Sequence, residues 1–208
     1  MAVLRQVMED RHHGVWWSSG VRYLRRPPPN NSGNSEAIAV QTRKSASLVL
    51  EQYPELSPED RAIRLDTRMR RRELVFERPD PPDYRMLLDE SVLRRDVGGL
   101  VVAADQLEAL LDFIRKRHLK LRILPFSASA GAAKIMIGAF LVLDLDDQDA
   151  VLYREIGVED EVIHAVDQVE RYRRDFDDLW ESALSEEASK RLVEVRRAEL
   201  LAAISGAK

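Results

Sequence analysis

Hydrophobic spacing along the chain switches between the helical and the strand period. Leu107, Leu110, Leu111 and Ile114 follow the i, i+3, i+4, i+7 rule and predict a helix over 105–118. Tyr84, Met86 and Leu88 alternate with Arg85, Leu87 and Asp89, which predicts a strand. Leu119 to Leu124 predicts a second strand, ended by Pro125. A strand, a helix and a strand this close together predict a crossover and a parallel pair. Residues 138–145 and 150–156 predict two further strands, joined as a hairpin by the turn Asp146-Asp147-Gln148-Asp149. Asp160 to Leu184 then predicts a long helix with Val162, Val166, Val169, Phe176 and Leu179 on one stripe. Ser185 is expected to cap a last helix over 186–204, carrying Leu192, Val195 and Leu201.

Ahead of the first strand the elements are helical. Residues 2–13 predict a short helix ended by Gly14, and 36–52 predict another, capped by Ser35 and stopped by Pro54. Ser57-Pro58-Glu59-Asp60 is a helix start: a capping hydroxyl, a proline suited to the first turn, and acids that complement the dipole. That helix should run to Arg78. Ser91 to Arg95 predicts one helical turn closed by Gly98-Gly99. Arg25 to Ser35, rich in Pro, Asn, Ser and Gly, reads as a linker. The fold class is α+β: a small mixed four-stranded sheet made of one crossover pair and a C-terminal hairpin. Helices are expected mainly around its ends and one face, two of them long and C-terminal. The organisation is an N-terminal helix and linker over 1–35, then one domain over 36–208. That domain divides into a helical part (36–80), a sheet part (81–157) and the C-terminal helices (158–208).

Composition narrows the chemistry. The 208 residues include 32 Lys and Arg against 36 Asp and Glu, a net charge of −4, and no cysteine. Disulfides, thiolate zinc sites and iron–sulfur clusters are therefore excluded. No apolar run approaches the ~18 residues of a membrane span, and Met1 to Gly20 carries too many charges for a signal peptide. A cytoplasmic protein without membrane contact is expected. Arg outnumbers Lys 26 to 6. Residues 1–80 hold 14 basic and 11 acidic side chains, whereas 81–208 hold 18 and 25. The acidic C-terminal part is a poor partner for a nucleic-acid backbone, and direct nucleic-acid binding is not expected.

Candidate chemistry is sparse. His12, His13, His118 and His164 include no i, i+4 pair, so no metal site is expected. Asp144, Asp146, Asp147, Asp149 and Glu155 loosely resemble a calcium loop, but Asp149 stands where such a loop needs glycine; a solvated turn is expected. Ser127, Ser129, Gly131 and Lys134 follow a strand without the spacing of a phosphate loop; a flap over a binding site is one alternative open to this small-residue loop, beside a plain connection. Arg68, Arg70, Arg71 and Arg72 lie on one helix as a solvated or partner-facing surface. Of Trp16 and Trp17, adjacent in sequence, one should be buried and the other free as an anchor. Asp89-Glu90 and Arg94-Arg95 sit where a strand ends, with Glu90–Arg94 expected as an i, i+4 ion pair. No nucleophile–base arrangement and no cofactor motif is present.

Several blocks then stand in a familiar order: Met86-Leu87-Leu88-Asp89-Glu90-Ser91-Val92-Leu93-Arg94-Arg95-Asp96-Val97-Gly98-Gly99, Gln106-Leu107-Glu108-Ala109-Leu110-Leu111, Leu121-Arg122-Ile123-Leu124-Pro125-Phe126, Gly138-Ala139-Phe140, Val151-Leu152-Tyr153-Arg154-Glu155 and Leu179-Trp180-Glu181-Ser182-Ala183-Leu184-Ser185. Over about residues 14–204 the chain resembles the effector-like C-terminal domain, of unknown function, of actinobacterial XRE-type, antitoxin-like helix-turn-helix transcriptional regulators. Trp16-Trp17 resemble the pair that opens that domain. Regulators of this type carry a helix-turn-helix of about 60 residues ahead of the pair. Only 15 residues precede Trp16, so the DNA-binding domain is expected to be missing. The family's Pro-Gly-Leu-Leu-Gln-Thr segment is replaced by Ala37-Ile38-Ala39-Val40-Gln41-Thr42, which keeps the Gln-Thr.

Two functions follow as expectations. The resemblance implies a regulatory module that binds a small partner protein or a small-molecule ligand, with a homodimer as one assembly open to it. The altered segment and the expected loss of the helix-turn-helix suggest the alternative, a stand-alone cyclase or isomerase of natural-product biosynthesis that shapes its substrate. The ligand-binding candidates are Trp16, Met86, Glu90, Arg95, Phe126, Ser127, Phe140 and Glu155; no catalytic residue is assigned.

Overall fold

The computed structural model describes residues 20–25, 40–54, 56–76, 83–116, 119–128, 140–144, 150–156 and 159–207. Their order is β1 (Gly20–Arg25), α1 (Arg43–Glu51), α2 (Pro58–Phe76), β2 (Asp83–Asp89), α3 (Ser91–Arg94), α4 (Leu100–Arg115) and β3 (Leu119–Leu124). Then come β4 (Phe140–Asp144), β5 (Ala150–Ile156), β6 (Glu159–Ile163), α5 (Val166–Ser182) and α6 (Glu186–Gly206). The class is α+β, as the periodicity predicts.

The sheet is larger than expected. It is one mixed sheet of six strands in the order β3-β2-β1-β4-β5-β6. β2 and β3 form the predicted parallel pair, with Met86 opposite Leu121, and β4 and β5 form the predicted antiparallel hairpin, with Val142 opposite Leu152. β1 joins the two halves. It runs antiparallel to β2 and parallel to β4. The 1–35 segment, read as a helix and linker, therefore contributes a central strand. β6 pairs antiparallel with β5, so the helix expected from Asp160 starts only at Val166. The helix predicted over 36–52 occupies Arg43–Glu51.

Helices cover both faces, not one. On the first face Tyr84, Met86, Leu88, Leu121, Ile123, Leu141 and Leu143 pack against Leu107, Leu110 and Leu111 of α4 and Val193 and Leu200 of α6. On the second, Leu87, Leu124, Phe140, Val142 and Leu152 pack against Val169, Tyr172, Phe176, Leu179 and Trp180 of α5. The alternation in β2 is what splits these sets, because successive side chains point to opposite faces. Arg85 also faces α5. Its guanidinium lies 4.5 Å from the Trp180 ring and 5.0 Å from Phe176, while the Arg122 guanidinium lies 4.8 Å from the Trp180 ring and donates to the Trp180 carbonyl at 2.8 Å. Aliphatic stems and cation–π contacts thus continue the core where the sequence turns basic.

Local signals fix the helix ends. Thr42 Oγ1 accepts from Ser45 N–H at the start of α1, Ser57 Oγ from Asp60 N–H at the start of α2, and Ser185 Oγ from Ala188 N–H at the start of α6. Gly98 and Gly99 have φ of +76° and +87° and turn the chain into α4. The outer edge of β3 is closed internally. Leu184 N–H donates to the Ile123 carbonyl (3.0 Å), and Ile123 N–H donates to Ser189 Oγ (2.9 Å).

Candidate functional site

The register gathers most of the predicted ligand residues at one end of the sheet. β2 and β3 finish there, with Asp89 opposite Leu124. β1 and β4 begin there, with Gly20 opposite Leu88 and Val21 opposite Phe140. β5 finishes there too, Arg154 opposite Phe140 and Glu155 one residue beyond. Ligands bind preferentially outside the carboxyl ends of parallel strands, and Glu90, Phe126 and Ser127 are the residues that follow these ends in β2 and β3.

Glu90 organises the site. Its Oε1 accepts from Arg94 Nε and Nη2 at 3.1 and 2.8 Å, and its Oε2 accepts from the Phe126 N–H at 3.0 Å. Its own N–H donates to the Leu124 carbonyl at 2.9 Å. One carboxylate thus ties the β2 exit to the β3 exit. The donors, Arg94 first and then the Phe126 N–H, hold the Glu90 carboxyl below its ordinary range, so it is an anion at neutral pH. Asp89 Oδ1 accepts from Ser91 N–H at 2.9 Å and turns the chain into α3.

The loop so anchored presents Phe126 to solvent, 65% exposed, with Ser127 also exposed beside it. An aromatic ring on a loop held at its own backbone N–H is a preorganised contact. From Glu90 the chain runs through α3 to Gly98-Gly99. Arg196 of α6 holds this run: Nε donates to the Leu93 carbonyl at 3.0 Å and Nη2 to Asp96 Oδ1 at 2.7 Å.

The other candidates part company. Met86 is fully buried on the α4–α6 face, and Phe140 is buried on the opposite face with its ring edge-on to Tyr172 at 4.7 Å. One cavity cannot be lined by both: through Arg22 of β1, Met86 stands level with Leu141, one position from Phe140, and successive strand positions point to opposite faces. Arg95 is exposed, and Arg94 rather than Arg95 pairs with Glu90. Glu155 pairs with Asp160 through the β5–β6 ladder; its side chain lies outside those described. Trp16, Trp17, His12, His13, His118, Ser129, Gly131, Lys134, the helix over 2–13, the Pro-rich stretch beyond Arg25 and the turn at 146–149 all lie outside the described residues. His164 is exposed, and among the described residues no group of His, Asp and Glu could hold a metal ion. Arg68 is buried rather than part of a solvated face, whereas Arg70 is exposed.

Two polar residues that sequence reasoning passed over prove central. Gln106 of α4 is buried; its Oε1 accepts from Thr42 N–H at 2.8 Å and its Nε2 donates to the Val40 carbonyl at 2.7 Å. Gln41-Thr42 is thus the segment that α4 grips, which gives that dipeptide a structural role. Ser189 of α6 closes the sheet edge as described. Each lies on an apolar helical stripe, Val102–Gln106–Leu110–Phe113 and Ser189–Val193–Leu200, and a polar residue interrupting such a stripe is the signal that could have marked them.

No described helix is long and apolar enough to cross a membrane. Neither a curated protein nor a solved structure matches the chain. A family model does, over residues 38–195, a span that takes in the anchored loop and the Gln106 contact and ends within α6: the chain belongs to the family described as Domain of unknown function (DUF5753).

Proposed function

We propose that this domain is the receptor part of a regulator of the XRE type, binding a small-molecule ligand or a small partner protein at the open end of the sheet and conveying that state to a DNA-binding module in cis or in trans. The observation that carries this reading is Phe126, exposed on a loop whose backbone Glu90 holds in place. A phenyl ring left in water gains nothing for folding. Covering the exposed part of the ring with a partner is worth about 1–2 kcal/mol, and a rigid support lowers the ordering cost of that contact. Glu90 spends its carboxylate on Arg94 and the Phe126 N–H, which suits a structural anchor better than a proton-transfer group. The acidic balance of residues 81–208 argues for a protein or small-molecule partner over a nucleic acid.

Native mass spectrometry on protein purified from its own cells tests this. The wild-type chain should carry a bound small molecule or small protein, and Phe126→Ala should lose it while melting at the same temperature. A wild-type chain that carries nothing, or a variant that keeps the full complement, contradicts the reading.

A further inference from the structure

We infer that the outer edge of β6 is a docking strand that takes an extended, basic segment of a partner protein as an added strand. The two edges of the sheet are treated differently. At β3 the outward backbone is taken up internally, by the Leu184 N–H on the Ile123 carbonyl and by Ser189 Oγ on the Ile123 N–H. β6 is the other outermost strand, and among the described strands it is paired with β5 alone. About half of the N–H and C=O groups of such a strand point away from its neighbour. Among the described residues no further hydrogen bond reaches Glu161, Val162 or Ile163. The next element, α5, packs over a face of the sheet, with Val169, Tyr172 and Phe176 against Phe140, Val142 and Leu152, so its packing does not close the edge.

An unpaired edge is a template for another chain, and its side chains decide which chain it admits. Ile163 is buried in the second core and Val162 is half-buried, which fastens the strand to the domain at its C-terminal end. The other three positions are consecutive acids, Glu159, Asp160 and Glu161. The Glu161 carboxylate is half exposed and stands 3.6 Å from Arg154 of β5. Like charges set opposite one another on neighbouring strands destabilise a ladder. A second copy of this chain would bring the same acids onto the same short ladder, and residues 81–208, with 25 acidic against 18 basic side chains, repel their own copy as a whole. The edge therefore disfavours its own kind and any acidic strand. Lysine or arginine at alternating positions of an incoming strand turns the same charges into attraction. Such a segment needs no pocket: its main chain supplies the hydrogen bonds and the acids supply the selection. Five residues make a short contact held partly by exposed charges, and so one that salt weakens. β6 and β3 are at opposite sides of the sheet, so this surface is separate from the Phe126 turn and stands whether or not that turn binds a ligand.

Three capped hexapeptides added to the full chain test this. One alternates lysine and valine, the second has glutamate in place of lysine, and the third is the lysine peptide N-methylated at alternate residues, which keeps the charge but cannot pair as a strand. Hydrogen exchange read amide by amide should show the lysine peptide slowing alternate amides of 159–163, and its affinity should fall about tenfold when salt screens the exposed charges. The glutamate and N-methylated peptides should each bind about tenfold less tightly. The double variant Glu159→Lys, Asp160→Lys should lower the affinity for the lysine peptide about tenfold; the peptide comparison on the unaltered chain decides the matter should that variant fail to fold. A lysine peptide that leaves 159–163 unprotected, a glutamate or N-methylated peptide that binds as tightly, or a folded double variant that binds unchanged overturns the inference.

Discussion

Replacing Ser189 with alanine removes one oxygen from a fully buried position and strands the Ile123 N–H, which donates to it at 2.9 Å. Ile123 is itself fully buried, and β3 is an outer strand of the sheet, so no neighbouring strand can take the donor. A buried donor without an acceptor costs about 1–3 kcal/mol. At roughly 2–4 °C per kcal/mol for a chain of this size, the melting temperature should fall by about 2–12 °C. Urea titration should show a lower midpoint with an unchanged slope, because the exposed area on unfolding stays the same. Ser205→Ala is the control: its Oγ donates to the Leu201 carbonyl on an exposed turn of α6, and its loss should stay within about 0.5 kcal/mol. Equal effects of the two substitutions would refute the argument that Ser189 acts by closing the sheet edge. The opened edge should also make Ser189→Ala more prone to aggregate on heating.

Gly98→Ala combines a φ of +76° with a methyl group 2.4 Å from Leu48 Cδ1; a loss of more than about 1 kcal/mol in a urea titration is expected from the backbone alone. Phe176→Ala opens the second core, where the ring stacks 5.5 Å from Trp180 and under the Arg85 guanidinium; about 3–5 kcal/mol should be lost in the same assay. Because the folded-state Glu90 carboxyl titrates below its unfolded value, its contribution is fully present above about pH 4.3 and fades as pH falls through the lower folded value. Stability measured against pH should therefore drop less steeply below about pH 4.3 in Glu90→Gln than in the wild type.

What the sequence shows of this fold follows the strength of its patterns. β2, β3, β5 and α6 carry clean periods and appear close to their predicted bounds, whereas α4, predicted over 105–118, already starts at Leu100, directly after Gly99. β6 was hidden because Glu159, Asp160 and Glu161 suit the first turn of a helix; pairing with β5 overrides that local preference. β1 was hidden because Gly20–Arg25 is short and abuts a Pro-rich run, and its place in the middle of the sheet depends on two distant partners. The Glu90–Arg94 pair is legible as an i, i+4 spacing, but the bond from Phe126 N–H to Glu90 spans 36 residues and needs the parallel register. Met86 and Phe140 were grouped by size and hydrophobicity, which say nothing about the face each strand position takes.

The most direct test of the sheet-end docking site is amide chemical-shift mapping with a library of small aromatic and apolar fragments. The account predicts that the fragments that bind shift the amides of 89–91 and 124–128 first, and that Phe126→Ala abolishes those shifts. Fragments that bind only elsewhere, or that perturb 124–128 equally without the Phe126 ring, would contradict it.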